Sequence, residues 1–240
     1  LSPKPLPLLY FKKLKQCAEY KSGEQYSLIR IVNYGMGNLR SVQKALELLG
    51  EQADFTKDPK EVADAEKLIL PGVGAFGAAM RNLEKLDLVQ PIRDFALSGK
   101  PFLGICLGMQ LLLEESEEQG LFEGLGIVPG RVVRFFQSRK PNDSIAGLKV
   151  PHMGWNTISI KTSNCPLFKD IPDGASFYFV HSFYPAPPED WISATTFYGE
   201  EFCSVIWKGN IFATQFHPEK SGAVGLRLLR NFANIGRAEK

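Results

Sequence analysis

From Leu28 onward the apolar positions fall into two repeating patterns. Short apolar runs alternate with stretches in which apolar residues recur every three or four positions. "LIRIVN" reads as a strand. "GNLRSVQKALELLG" then places Leu39, Val42, Leu46 and Leu49 on one helical face, with Gly50 suited to the C-terminal cap. "QADFT" is a second strand, and "DPKEVADA" opens a helix with Asp58 as N-cap and Pro59 at its first position. "KLIL" is a third strand and leads into "PGVGAFG". Helical spacing follows through "AAMRNLEKL" and "VQPIRDFALSG". "PFLGI" is apolar throughout, as expected of a strand covered on both faces. "MQLLLEESEE" after it predicts a helix.

Beyond residue 126 the pattern turns β-rich, through "IVPGRVVRF", "WNTISI", "SFYFVHSFY", "WISATTFY", "FCSVIW" and "IFATQFHP". "WKGNIF" predicts a hairpin, and "GAVGLRLLRNFANI" a final amphipathic helix. Strand and helix alternate in the first half, which argues for an α/β fold. A central, mostly parallel sheet should be flanked by helices, with an antiparallel β portion added in the second half. No internal repeat or low-complexity segment is present.

Composition narrows the class. The chain has 240 residues, 44% of them hydrophobic and 22% charged, enough for a sizeable core. Residues 1–26 differ: "LSPKPLPL" is proline-rich and the rest lysine-rich. They read as a poorly ordered or peripheral extension before a domain at 27–240. A formal charge of +2 gives no argument for nucleic acid or an anionic membrane surface, and no stretch approaches a membrane span of about 20 apolar residues. The four cysteines, at 17, 106, 165 and 203, lack CxxC spacing, so we expect a reducing, cytoplasmic setting without disulfides. The three histidines, at 152, 181 and 217, offer no zinc-site spacing, and neither metal nor cofactor is expected.

Candidate chemistry centres on "GICLGMQ". Cys106 sits between strand and helix, where ligands bind in an α/β sheet. A G-x-C-x-G turn is sharp and pushes the nucleophile into the open, with Gly104 and Gly108 relieving collisions across it. The helix N-terminus should favour thiolate, and the Leu107 amide can donate to an oxyanion. The alternative is a buried cysteine beside incidental glycines. "QFHPEKS" supplies a base and its orienter: in extended chain His217 and Glu219 project to one side. His181 is the rival base but has no carboxylate near it in sequence and reads as structural or substrate-lining. His152, in a turn-like segment, ranks last. "LPGVGAFG" should reach the same rim. It reads as completing an oxyanion hole, as a phosphate cradle or as a plain βα turn.

The order of these segments resembles the class I (triad) glutamine amidotransferases over residues 28–236, which implies a flavodoxin-like amidotransferase fold. "NYGMGNLRSV", "LPGVGAFG", "GICLGMQLL", "VPHMGWN", "YFVHSFY" and "QFHPEKSG" are similar, within that family, to the glutaminase subunits of imidazole glycerol phosphate synthase. The spacing of Gly72 and Gly74 by Val73 carries part of this likeness.

The resemblance implies that Cys106 attacks the side-chain amide of glutamine, that His217 relays the proton to ammonia and that Glu219 orients His217. It further implies an oxyanion hole at Val73, Gly74 and Leu107, and a glutamine pocket at Gly72, Gln110, His181, Ser182 and Phe183. It implies a heterodimer with a (β/α)8-barrel cyclase subunit that uses the ammonia in histidine biosynthesis, with Asn38, Trp155 and Lys220 at the interface. Two other readings remain at this stage. One is the glutaminase of another class I amidotransferase, such as pyridoxal phosphate synthase; the other is a catalytically silent regulatory module.

Overall fold

The computed structural model describes residues 28–136 and 148–237, so the 1–26 extension and Cys17 lie outside the described residues. In the first half, the strands are β1 (Ile29–Val32), β2 (Ala53–Thr56), β3 (Lys67–Gly72) and β4 (Phe102–Cys106). Between them run helices α1 (Leu39–Leu48), α2 (Pro59–Asp64), α3 (Phe76–Lys85) and α4 (Val89–Leu97). The local signals act as read from the sequence. Asp58 accepts the Lys60 amide at 2.8 Å, and Gly50, just past α1, takes the left-handed backbone a helix end needs.

After Cys106 comes a single helical turn, α5 (Leu107–Gln110). The expected helix over "MQLLLEESEE" does not form. The carbonyls of Leu111, Leu112 and Leu113 accept amides from residues 125–128 instead of from their own following turn. All three leucine side chains are fully buried, which an amphipathic surface helix would not allow. The chain continues as β5 (Glu115–Ser116), β6 (Phe122–Glu123) and β7 (Arg131–Arg134).

The second half supplies β8 (His152–Thr157), β9 (Ser159–Ile160), β10 (Ser176–His181), β11 (Phe183–Ala186), β12 (Ile192–Phe197), β13 (Glu201–Lys208) and β14 (Ile211–Thr214), then helix α6 (Gly222–Asn234). His152 therefore begins a strand rather than sitting in a turn, because "HMGWNT" pairs residue for residue with β10.

The main sheet has the order β2-β1-β3-β4-β14-β13-β12-β9. Pairings from β2 to β14 are parallel and the rest antiparallel. β3 and β4 are buried along their whole length, since helices cover both faces. One face packs Val42, Leu46, Leu228 and Phe232 from α1 and α6. The other packs Val62, Phe76, Leu83, Ile92 and Phe95 from α2, α3 and α4. Each such fully buried side chain contributes roughly 1.5–3 kcal/mol. Smaller sheets, β10-β8 and β11-β7-β5-β6, stand beyond the carboxyl ends of the parallel strands. The order reverses at β1, whose neighbours are β2 and β3, and this is where such sheets form a crevice.

Candidate active site

Three neighbouring carboxyl ends, those of β3, β4 and β14, meet beside that reversal. β3 ends at Gly72, which lies in register with Cys106 at the end of β4. β14, paired to β4 on its other side, runs on to Gln215 and His217. Cys106 has φ 55° and ψ −111°, a conformation L-residues avoid, so the turn is strained at the sulfur-bearing residue. The flanking glycines make the turn possible: a Cβ on Gly108 would overlap the Leu70 carbonyl, and one on Gly104 would lie 2.9 Å from the Gly108 oxygen.

His217 is 2% exposed, and its Nδ1 lies 2.7 Å from Glu219 Oε1, itself buried. The two meet across a 3-10 turn at Pro218–Lys220, not across the extended chain expected from the sequence. Proline fixes the entry to that turn and brings the carboxylate back under the ring. The His217 backbone is pinned twice: its amide donates to Tyr178 O at 2.9 Å, and its carbonyl accepts from Ser221 Oγ at 2.6 Å.

His217 Nε2 is buried without a well-aligned hydrogen bond, and the group it faces is Cys106. Burial disfavours the imidazolium, but the negative sulfur and the Glu219 carboxylate outweigh it and raise the His217 pKa. With α5 only one turn long, the expected helix-dipole contribution at the sulfur is small.

The other two histidines are paired. His152 Nδ1 lies 3.0 Å from His181 Nε2, and His181 Nδ1 lies 2.8 Å from Phe183 O. Burial pushes His152 down to about 4 and His181 down to about 3. Both ring nitrogens of His181 are thus engaged, so it has none free to act as base. Gln110 Nε2 donates to the same Phe183 carbonyl at 2.9 Å, and Ser182 O accepts from the Phe135 amide. Gln110 and His181 are accordingly joined through the Phe183 carbonyl, while Ser182 is tied to Phe135.

In the glycine loop, Gly72 lies against Leu107 and the Tyr34 hydroxyl with no room for a side chain. Val73 is exposed and Gly74 has φ +100°. Tyr34 donates to Pro71 O at 2.9 Å and holds the strand end beneath the loop. Trp155, 59% exposed, meets Tyr178 at a 6.2 Å ring separation, and Lys220 Nζ lies 6.0 Å from the same ring. Asn38 starts α1 without a side-chain cap, and α1 packs on the Pro218–Lys220 turn.

One residue escaped the sequence reading. Gln215 is fully buried and its Nε2 lies 3.7 Å from Cys106 Sγ. Its signal was its position two before His217 on a strand end, which gives both side chains the same face.

A thiol at a strand end facing an imidazole backed by a carboxylate is an arrangement suited to nucleophilic acyl transfer. The family model "Glutamine amidotransferase class-I" matches residues 31–235, and the chain belongs to that family. Its relatives include "Imidazole glycerol phosphate synthase subunit HisH" of Geobacter sulfurreducens, 56% identical over 208 residues, covering 86% of this chain and 98% of the relative. The HisH subunit of Methanocaldococcus jannaschii is 49% identical over 209 residues, 87% of this chain and 100% of the relative.

These relatives bear out the narrower resemblance read from the motifs. Among solved structures, that of PurLQS from Thermotoga maritima superimposes with a TM-score of 0.65 at 19% identity, over 88% of this chain and 99% of its own. One titled "Crystal structure of glutamine amidotransferase" gives 0.60 at 20%, over 85% and 96%. Both share the fold. No described helix is long and apolar enough to cross a membrane.

Proposed function

We propose that this chain hydrolyses glutamine to glutamate and ammonia and passes the ammonia to a (β/α)8-barrel cyclase subunit in histidine biosynthesis. The observation that carries the reading is the strained Cys106 facing a buried His217–Glu219 pair at 2.7 Å. The thiolate attacks the carboxamide carbon and the C–S bond forms. Charge moves to the carbonyl oxygen, which the Leu107 amide and the Val73–Gly74 loop receive. The intermediate collapses, the C–N bond breaks, and the His217 imidazolium gives its proton to the departing ammonia. Neutral His217 then takes a proton from water, which attacks the thioester. The C–S bond breaks, glutamate leaves and the thiolate returns. Glu219 keeps Nδ1 protonated throughout, so that Nε2 does the proton transfer.

In this reading Gln110 binds substrate through Oε1, because its NH2 group is committed to Phe183 O and Gln215 Oε1. An acceptor there suits the α-ammonium of glutamine. The docking face is the outer side of the β8–β10 ribbon, where Met153 and Trp155 stand exposed opposite Val180 and Tyr178. Lys220 borders it, and Asn38 lies at the near end of α1. Val180 O and Tyr178 O on that ribbon touch Cys106 and the His217 amide, so ammonia released at the sulfur has one strand's thickness to cross. The test is the rate of glutamate release by the chain alone, with a (β/α)8 cyclase, and with the cyclase plus its nucleotide ligand. We expect the rate to rise at each addition; no glutamate release in the assembled complex would refute the reading.

A further inference from the structure

We propose that Gln215 positions the Cys106 sulfur and favours its thiolate, with its carboxamide locked NH2-first toward the sulfur by a hydrogen-bond chain. This rests on the reading of Cys106 as the nucleophile. The direction of the lock follows from a backbone carbonyl, which only accepts. Phe183 O is approached by Gln110 at 2.9 Å, so Gln110 must present NH2 there. The second hydrogen of that NH2 group then faces Gln215 at 3.0 Å, which requires Gln215 Oε1 on that side. Gln215 is left with NH2 toward Sγ, at 3.7 Å.

The other branch from Phe183 O has the same polarity. His181 donates through Nδ1, so its Nε2 accepts from His152 Nδ1, and His152 Nε2 accepts from Asn156 Nδ2 at 3.3 Å. Asn156 Nδ2 also donates to a second fixed acceptor, Phe197 O, at 3.0 Å. Both ends of the chain therefore agree, and both histidines are neutral in it.

Around the sulfur the donors and acceptors are opposed. Val180 O, 3.9 Å away, can only accept and so favours the thiol; Gln215 Nε2 can only donate and so favours the thiolate. The titratable groups facing the sulfur are His217 from the β14 end, with Glu219 behind it, and the Tyr34 hydroxyl from the β1 end, which burial holds protonated. His181 acts on the site through the charge of His217 and through its hydrogen bond to Phe183 O. Gln215 carries no charge of its own, so it biases the sulfur without adding a titration.

The experiment compares Gln215→Met and Gln215→Glu with the unsubstituted chain. It reads the pH dependence of iodoacetamide alkylation at Cys106 and, separately, glutamate release. Gln215→Met removes the donor, and we expect the alkylation midpoint to rise by about one pH unit. Gln215→Glu keeps the shape and the acceptor toward Gln110 but aims a carboxylate at the sulfur, so the midpoint should rise further. In glutamate release kcat should fall while KM stays within about twofold. Unmoved alkylation profiles in folded variants would overturn the proposal. Loss of fold in both variants would overturn it too, by assigning Gln215 to packing. Alkylation needs neither glutamine nor a partner, so its outcome stands apart from whether the chain proves to be a glutaminase.

Discussion

Lowering the pH from 7 to 5 should destabilise the fold through the His152–His181 pair. Burial pushes these rings down to about 4 and about 3, so both stay neutral in the native state at pH 5. In the unfolded chain each has a pKa of about 6.5 and is protonated at pH 5. A depressed folded-state pKa contributes stability that is present above the unfolded value and lost as pH falls below it. The slope approaches 1.36 kcal/mol per pH unit per proton, so each ring costs about 2 kcal/mol by pH 5 and the pair about 4.

His217 works in the opposite direction. Its pKa is raised, so its contribution is complete below the unfolded value and fades as pH climbs through the folded one. Between pH 7 and 5 it returns just under about 1 kcal/mol. The net loss is about 3 kcal/mol, a large share of a typical domain's 5–15 kcal/mol. These are the only three histidines, the side chains whose unperturbed pKa falls within this interval.

The assay is urea unfolding followed by tryptophan fluorescence at pH 7, 6 and 5. The midpoint should fall by about 1 M over the range. The double variant His152→Asn, His181→Gln should be less stable at pH 7 but should gain about 1 kcal/mol as pH falls to 5, through His217. Equal stability of the unsubstituted protein at pH 7 and 5, or an unchanged slope in the double variant, would refute the reasoning.

Cys106→Ala should abolish glutamate release while the cyclase complex still uses added ammonia; loss of both activities would contradict the division of labour. Glu219→Gln should lower kcat by about 100-fold or more through a misassigned ring tautomer, while the urea midpoint moves far less; full activity would remove the orienting role. Gly108→Ala drives a methyl into the Leu70 carbonyl and should cost at least about 2 kcal/mol, read as a drop in melting temperature. Trp155→Ala should weaken cyclase binding by about 2 kcal/mol or more in calorimetry without changing the melting temperature.

Much of this molecule is legible in its sequence because local signals and burial agree. Asp58-Pro59 and the continuous apolar run at 102–105 each decide an element without help from distant residues. "MQLLLEESEE" misled because its leucines are spaced for a helix while their carbonyls are claimed by residues 125–128, a contact no window along the chain contains. His152 misled in the same way, since its partner strand lies more than twenty residues downstream. Cys106, His217 and Glu219 were readable because each carries its own turn chemistry. Gln215 was not, because its one signal, a place two residues before His217, has no meaning until the sulfur is seen beside it.

The sulfur ends β4, and the ring lies three residues past the end of β14, the strand paired in parallel beside β4. The two strands that lead to them are held at the interstrand repeat of about 4.8 Å, a constant of backbone hydrogen bonding. The peripheral ribbons are free to be remodelled while this spacing stays fixed. A change of outer surface thus requires no retuning of the strands beneath the sulfur and the ring.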